Sequence, residues 1–196
     1  MLEINKSISK EELNELPVES FNGEIIVIDY ASDIRKILPF LKKQKVLGFD
    51  TETRPTFKKG EMNEVALLQL STSKTAFLFR LNKTKLPEEL VDILSDPEIT
   101  KVGVAIKDDI LALKRLSKFT PEGFVEIQDK VKDFEIENFG LKKLSGLLLG
   151  FRISKAQQTS NWEADILTEA QIKYAATDAW VSLEIYNRLC EIEKAS

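Results

Sequence analysis

Histidine is absent from this chain of 196 residues, and cysteine occurs once, as Cys190. The first absence removes Ser-His-Asp and Cys-His nucleophilic catalysis, His general bases and His-ligated zinc. The second removes an intramolecular disulfide framework and a thiolate zinc cluster, and it suits a reducing compartment. No stretch approaches the roughly 18 consecutive apolar residues of a membrane span. The opening MLEINKSISKEELNELP lacks the apolar core of a signal peptide. A cytoplasmic protein with no membrane partner is expected. Basic excess is missing too: 28 Lys and Arg against 32 Asp and Glu leave a formal charge of -4, which argues against a basic-coat nucleic-acid binder. Carboxylate, Lys, Tyr, Ser and Thr remain for demanding chemistry. Carboxylates select hard, oxygen-loving cations such as Mg²⁺ or Mn²⁺.

The length and a hydrophobic content of 43% suit one domain with its own core. Residues 1–23 read as a polar, loosely attached lead-in and 24–196 as a single domain. Glu24 to Tyr30 reads as a strand, and Asp33 to Lys43 as a helix with Ser32 as N-cap and a kink at Pro39. The apolar run Val46 to Thr51 (VLGFDT) has the length of a buried strand. VALLQLS (65–71) and TAFLFRL (75–81), parted by three residues, form an expected antiparallel hairpin. A helix from Pro87 to Ser95, a strand KVGVAI (101–106), a helix from Asp108 to Ser117 and a short strand at Phe124–Gln128 follow. Helices at Leu141–Leu149 and Thr168–Glu193 close the chain, the last opened by a Thr168/Gln171 capping box. This order implies an α/β fold: a mixed sheet of five to six strands with helices on both faces. Ligands of such sheets collect at the carboxyl ends of the strands.

Asp50 and Glu52 end the first buried strand two residues apart, so both carboxylates point to one side. Acids after a strand commonly just solvate a turn, and D-x-E alone is weak. Asp178 carries more. On the helical wheel Lys173, Thr177, Glu184, Asn187, Arg188 and Glu191 share a polar arc. Asp178 lies outside it, beside Val181, Ile185 and Leu189, with Tyr174 one turn before on the same face. An ionised carboxylate facing a core must be neutral, paired or metal-bound, and a plain salt bridge is the ordinary outcome. Trp180 falls in the polar arc with no role beyond contact to another segment. Asp108 and Asp109 open a helix, where Asp is a favoured cap; one can cap while the other projects toward Asp50 and Glu52. Four carboxylates from three segments can hold two divalent ions about 4 Å apart, the clamp of in-line phosphoryl displacement. Tyr174, a poor free base with its pKa near 10, suits orientation of a water.

VLGFDTETRP, KVGVAIKDDILAL and SNWEADILTEAQIKYAATDAW resemble, in that order, the three motifs of the DEDD 3'-5' exonuclease superfamily. The Tyr174-x-x-x-Asp178 element resembles its tyrosine subclass, DEDDy, and the nearest likeness is to Werner-type exonuclease domains and their stand-alone bacterial relatives. The resemblance spans residues 24–194. It implies an RNase H-like fold and hydrolysis of DNA from the 3' end, through two Mg²⁺ or Mn²⁺ ions, to nucleoside 5'-monophosphates. It also implies Asp50, Glu52, Asp109 and Asp178 as metal ligands and Tyr174 as the residue that positions water. Two departures stand out: Asp108 occupies a place often taken by Gly, which leaves Asp108 and Asp109 in competition, and Thr53-Arg54 replaces bulkier residues. Setting the four acids aside leaves a formally neutral surface. Lys58-Lys59, Lys142-Lys143, Arg152 and Lys155 are candidate phosphate contacts, and Asn161-Trp162 a candidate platform for a terminal base, although a core role suits the indole as well. The same chemistry on RNA, as in RNase D-like enzymes, and a non-catalytic nucleic-acid-binding module are the alternatives.

Overall fold

Central strand β2 (Val46–Thr53) alternates two kinds of side chain, and that alternation organises the molecule. The computed structural model describes residues 5–56 and 63–195. Five further strands, β1 (Glu24–Ile28), β3 (Val65–Ser71), β4 (Thr75–Arg80), β5 (Thr100–Gly103) and β6 (Phe124–Glu126), join β2 in one sheet of order β1-β4-β3-β2-β5-β6. β3 runs antiparallel to β2 and β4, and the other neighbours pair in parallel. The expected mixed sheet is therefore present, with six strands.

Leu47 and Phe49 of β2 point to one face. There they join Leu68, Leu70, Phe77 and Phe79 beneath α2 (Ala31–Leu41), α4 (Glu88–Ser95) and α5 (Lys107–Leu116). Gly48 points to the other face, which is crossed by the long helix α8 (Glu169–Ala195). A Cβ on Gly48 would lie 1.9 Å from the Ala179 carbonyl oxygen, so glycine is what lets the helix backbone touch the strand. Helix α7 (Leu141–Leu149) packs beside α8 on this face. Both faces carry helices.

Several local expectations shift. Ser32 lies inside α2, whose cap is Tyr30, and Pro39 is accommodated within that helix. Strand β5 stops at Gly103 because Ala105 adopts a left-handed φ of 62°. The Glu126 carboxylate holds that bend by accepting from the N–H groups of Ala105 (2.9 Å) and Ile106 (2.8 Å). Short helices α1 (Lys10–Glu15), α3 (Leu81–Thr84) and α6 (Ile127–Lys130) escaped the periodicity reading, because four to six residues are too few to show a period.

The lead-in is not loosely attached. Helix α1 starts in a Ser9/Glu12 capping box and buries Leu13. Val18 bridges Arg152, and Phe21, 1% exposed, donates its N–H to Thr177 Oγ1 at 3.0 Å. Thr177 is accordingly buried rather than part of a solvated arc. The Trp180 ring lies between Phe151 (centroids 5.7 Å apart, 5° between planes) and Phe21 (5.8 Å), which explains an indole on the polar side of α8.

Candidate active site

Three of the expected acids converge. Asp50 and Glu52 leave β2 on the face toward α8, and Asp178 comes down from that helix to meet them. One carboxylate oxygen of each lies within 4.8 Å of the others. They line a cavity of about 200 Å³ together with Tyr174, Lys155, Gln158, Val104, Leu141 and Ile153. Asp178 is 7% exposed, and its Oδ1 has no hydrogen-bond partner among the described residues.

Burial and mutual repulsion govern the charge of this group. Withdrawal from water, then the charges of Asp178 and Asp109, hold the Asp50 carboxyl well above the usual carboxylate range. Glu52 is pushed up to about 10 by burial and by the charges of Asp50, Asp178 and Asp109. Burial raises Asp178 to about 7 against the pull of the Tyr174 hydroxyl and the nearby Lys155 ammonium. Tyr174 donates to Asp178, and burial beside these acids raises its phenol far above 10. It stays protonated. Three acids, Asp178 buried and Asp50 and Glu52 half-buried, with one orphaned oxygen and too few donors, have the donor set of a hard divalent-cation site. Asp50, Glu52 and Asp178 are the residues that would hold such an ion.

Asp109 stands apart from that trio. It sits near the start of α5, on the other side of β2, where Thr51 Oγ1 donates to its Oδ1 at 2.5 Å. Its charge nevertheless acts on both Asp50 and Glu52. Asp108 is exposed, and no side chain caps α5.

The proposed substrate contacts divide. Lys155 is exposed at the cavity rim, near enough to act on Asp178. Trp162 is a correction: it is 0% exposed, packed in the core with its centroid 6.0 Å from that of Tyr174, so it offers no face to a base. It packs beside the tyrosine instead. Asn161 is exposed, but its side chain caps Glu163 N–H (3.2 Å) and its carbonyl accepts from Gln171 (3.2 Å). Arg152 is likewise engaged in structure: its Nε donates to the Leu16 carbonyl at 3.1 Å, and its backbone pairs with Pro17 and Glu19. Lys143 is exposed, and Lys58-Lys59 lie outside the described residues.

Arg80 was not anticipated. At 1% exposure it donates to the carbonyls of Ala164 and Asp165 (3.0 Å), and Lys83 also donates to Asp165 O (2.8 Å), which fastens the loop that feeds α8. A lone Arg at the end of the apolar strand TAFLFR was the available signal.

An acid cluster at the end of the central strand of a mixed sheet, faced by a helix bearing a tyrosine, defines an α/β domain built to handle a cation. The chain belongs to the 3'-5' exonuclease family, whose sequence profile matches residues 25–192. The bifunctional 3'-5' exonuclease/ATP-dependent helicase WRN of Mus musculus is 34% identical over 196 residues, covering 95% of this chain and 14% of that protein. Exonuclease 3'-5' domain-containing protein 2 of Mus musculus is 31% identical over 183 residues, covering 85% of this chain and 28% of its own length. The chain thus spans well under half of these relatives. Among solved structures, the EXO domain of Aedes aegypti Nibbler superposes with a TM-score of 0.80 at 24% identity, covering 91% of this chain and 94% of that one. Escherichia coli RNase D superposes at 0.77 and 23% identity, covering 89% and 46%. The fold is RNase H-like. Among the described residues no helix is long and apolar enough to cross a membrane.

Proposed function

We propose that this chain is a metal-dependent 3'-5' exonuclease that hydrolyses DNA from the 3' end to nucleoside 5'-monophosphates, acting in the cytoplasm. The convergence of Asp50, Glu52 and Asp178 carries the reading. Two Mg²⁺ or Mn²⁺ ions would supply the charge that offsets the scissile phosphate and the Lewis acidity that makes water a nucleophile at neutral pH. Asp50, Glu52 and Asp178 would hold the first, and Asp109 with Asp50 the second. Asp109 is the better candidate than exposed Asp108, because its charge is felt by both strand acids.

Tyr174 keeps its proton and orients the attacking water through the hydroxyl it also directs at Asp178. Lys155, with no ion-pair partner among the described residues, contacts a phosphate oxygen at the cavity rim.

The deciding experiment follows 3'-labelled and 5'-labelled DNA and RNA strands with Mg²⁺, Mn²⁺ or chelator. Stepwise shortening of 5'-labelled DNA, immediate release of the 3' label and silence under chelator are expected. Faster shortening of RNA would move the substrate to RNA. Shortening unaffected by chelator would end the metal reading.

A further inference from the structure

Strand β3 carries a polar side chain with no part in the site so far. Gln69 is 0% exposed, and neither its amide nitrogen nor its carbonyl oxygen has a hydrogen-bond partner among the described residues. An unpaired buried amide is a net cost to folding. A leucine in the same place would cost nothing of that kind.

The register makes sense of the glutamine. Gln69 stands directly opposite Asp50 across the β2–β3 ladder. Leu68 and Leu70 belong to the core under α2, α4 and α5, whereas Leu67 packs with Ala175 and Ala176 of α8. By the two-residue alternation, Gln69 shares the α8 side with Gly48 and Asp50. Opposed residues in such a ladder have Cβ atoms about 4.5–5.5 Å apart, within reach of an amide for a neighbouring carboxylate. Gln69 is not among the residues lining the acid cavity, so it backs Asp50 from within the sheet. Asp50 itself has the backbone N–H of Thr51 as a donor, while an ionised carboxylate can accept about four hydrogen bonds.

We propose that Gln69 is a positioning residue for Asp50, whose carboxamide donates to that carboxylate once a divalent ion draws it into ligation. The proposal rests on the reading of Asp50, Glu52 and Asp178 as a metal site. Ligating carboxylates are oriented by hydrogen bonds from a second rank of groups, and loss of one such group weakens metal binding by about 10–100-fold. In the metal-free protein the amide is an unsatisfied polar group; in the loaded protein it fixes one ligand's orientation.

The test is Mn²⁺ affinity by calorimetric titration without nucleic acid, together with the metal-free melting temperature, for Gln69→Leu and the unbranched Gln69→Met. Expected is Mn²⁺ binding about tenfold weaker in both, with a melting temperature equal to or above that of the native protein. A side chain that only packs would move the melting temperature and spare the affinity. Affinity within about twofold of native in both variants, or marked destabilisation of both metal-free variants, overturns the proposal. Native protein that binds Mn²⁺ yet leaves nucleic acid intact sinks the exonuclease reading alone, and native protein that binds no Mn²⁺ sinks both.

Discussion

On the α8 side of β2, Gly48, Ala175, Ala176 and Ala179 bring helix and strand backbones close, and Asp50, Glu52 and Asp178 are pressed together with few donors. On the opposite side, Leu47 and Phe49 are covered by large side chains, and the acid found there, Asp109, has a donor in Thr51. One side stores unrelieved charge; the other stores apolar burial, at about 1.5–3 kcal/mol for each large side chain. The difference teaches where the first cation is wanted: at the side whose acids lack partners.

The comparison breaks most visibly at its charged side. Asp50→Asn and Asp178→Asn are expected to abolish cleavage while raising the metal-free melting temperature, since each removes a repelled, buried acid. Full turnover by either variant in excess Mg²⁺ would refute the assignment. Asp109→Asn sharpens the contrast: burial holds this carboxyl above its usual range too, against the Thr51 hydrogen bond, so a smaller rise in melting temperature is expected. Tyr174→Phe should slow single-turnover cleavage about 10²-fold; an unaltered rate removes the hydroxyl from the mechanism. Gly48→Ala tests the close approach itself. Its new methyl meets the Ala179 carbonyl oxygen, and denaturant unfolding should show a loss of about 1–3 kcal/mol.

Acidity gives a gentler probe. Asp178 and Glu52 titrate at about 7 and about 10 in the fold, above the ordinary carboxylate values near 4, so the folded state binds their protons more tightly than the unfolded chain. Their contribution to stability is full below about pH 4 and is lost as pH rises through 7 toward 10. Melting temperatures of chelated protein should therefore fall across that window, and saturating Mn²⁺ should reverse the fall. A flat profile in both states would deny the buried repulsion. The smallest effect belongs to the rim: Lys155→Ala should weaken binding evenly across sequences and reduce the salt slope by about one, with no change in melting temperature.

Much of this was open to reading along the chain. Period two put Asp50 and Glu52 on one side of a strand, and period 3.6 put Tyr174 and Asp178 together on the inward side of a helix. The capping box at Thr168 and Gln171 is present, with both hydrogen bonds made. Gln69 was the one amide inside the apolar run VALLQLS, yet nothing local shows that its cross-strand neighbour is Asp50. The lead-in misled by composition: its charged residues hide Leu13 and Phe21, which are spaced to cover the α7 and α8 side rather than to make an amphipathic stripe. Trp162 misled by position, since a loop indole beside a cleft gives no sign of which way its ring turns.

The amino-acid order by itself determined the element types, the mixed α/β arrangement and the pairwise placement of the acids, because those follow from periodicities within one segment. Tertiary structure alone decided that three acids share a space while the fourth is tied to Thr51, that Arg152 and Trp162 serve the scaffold, and that Gln69 stands opposite Asp50 in the sheet. Each of those depends on register and on the distance between elements far apart in the chain, which no local pattern encodes.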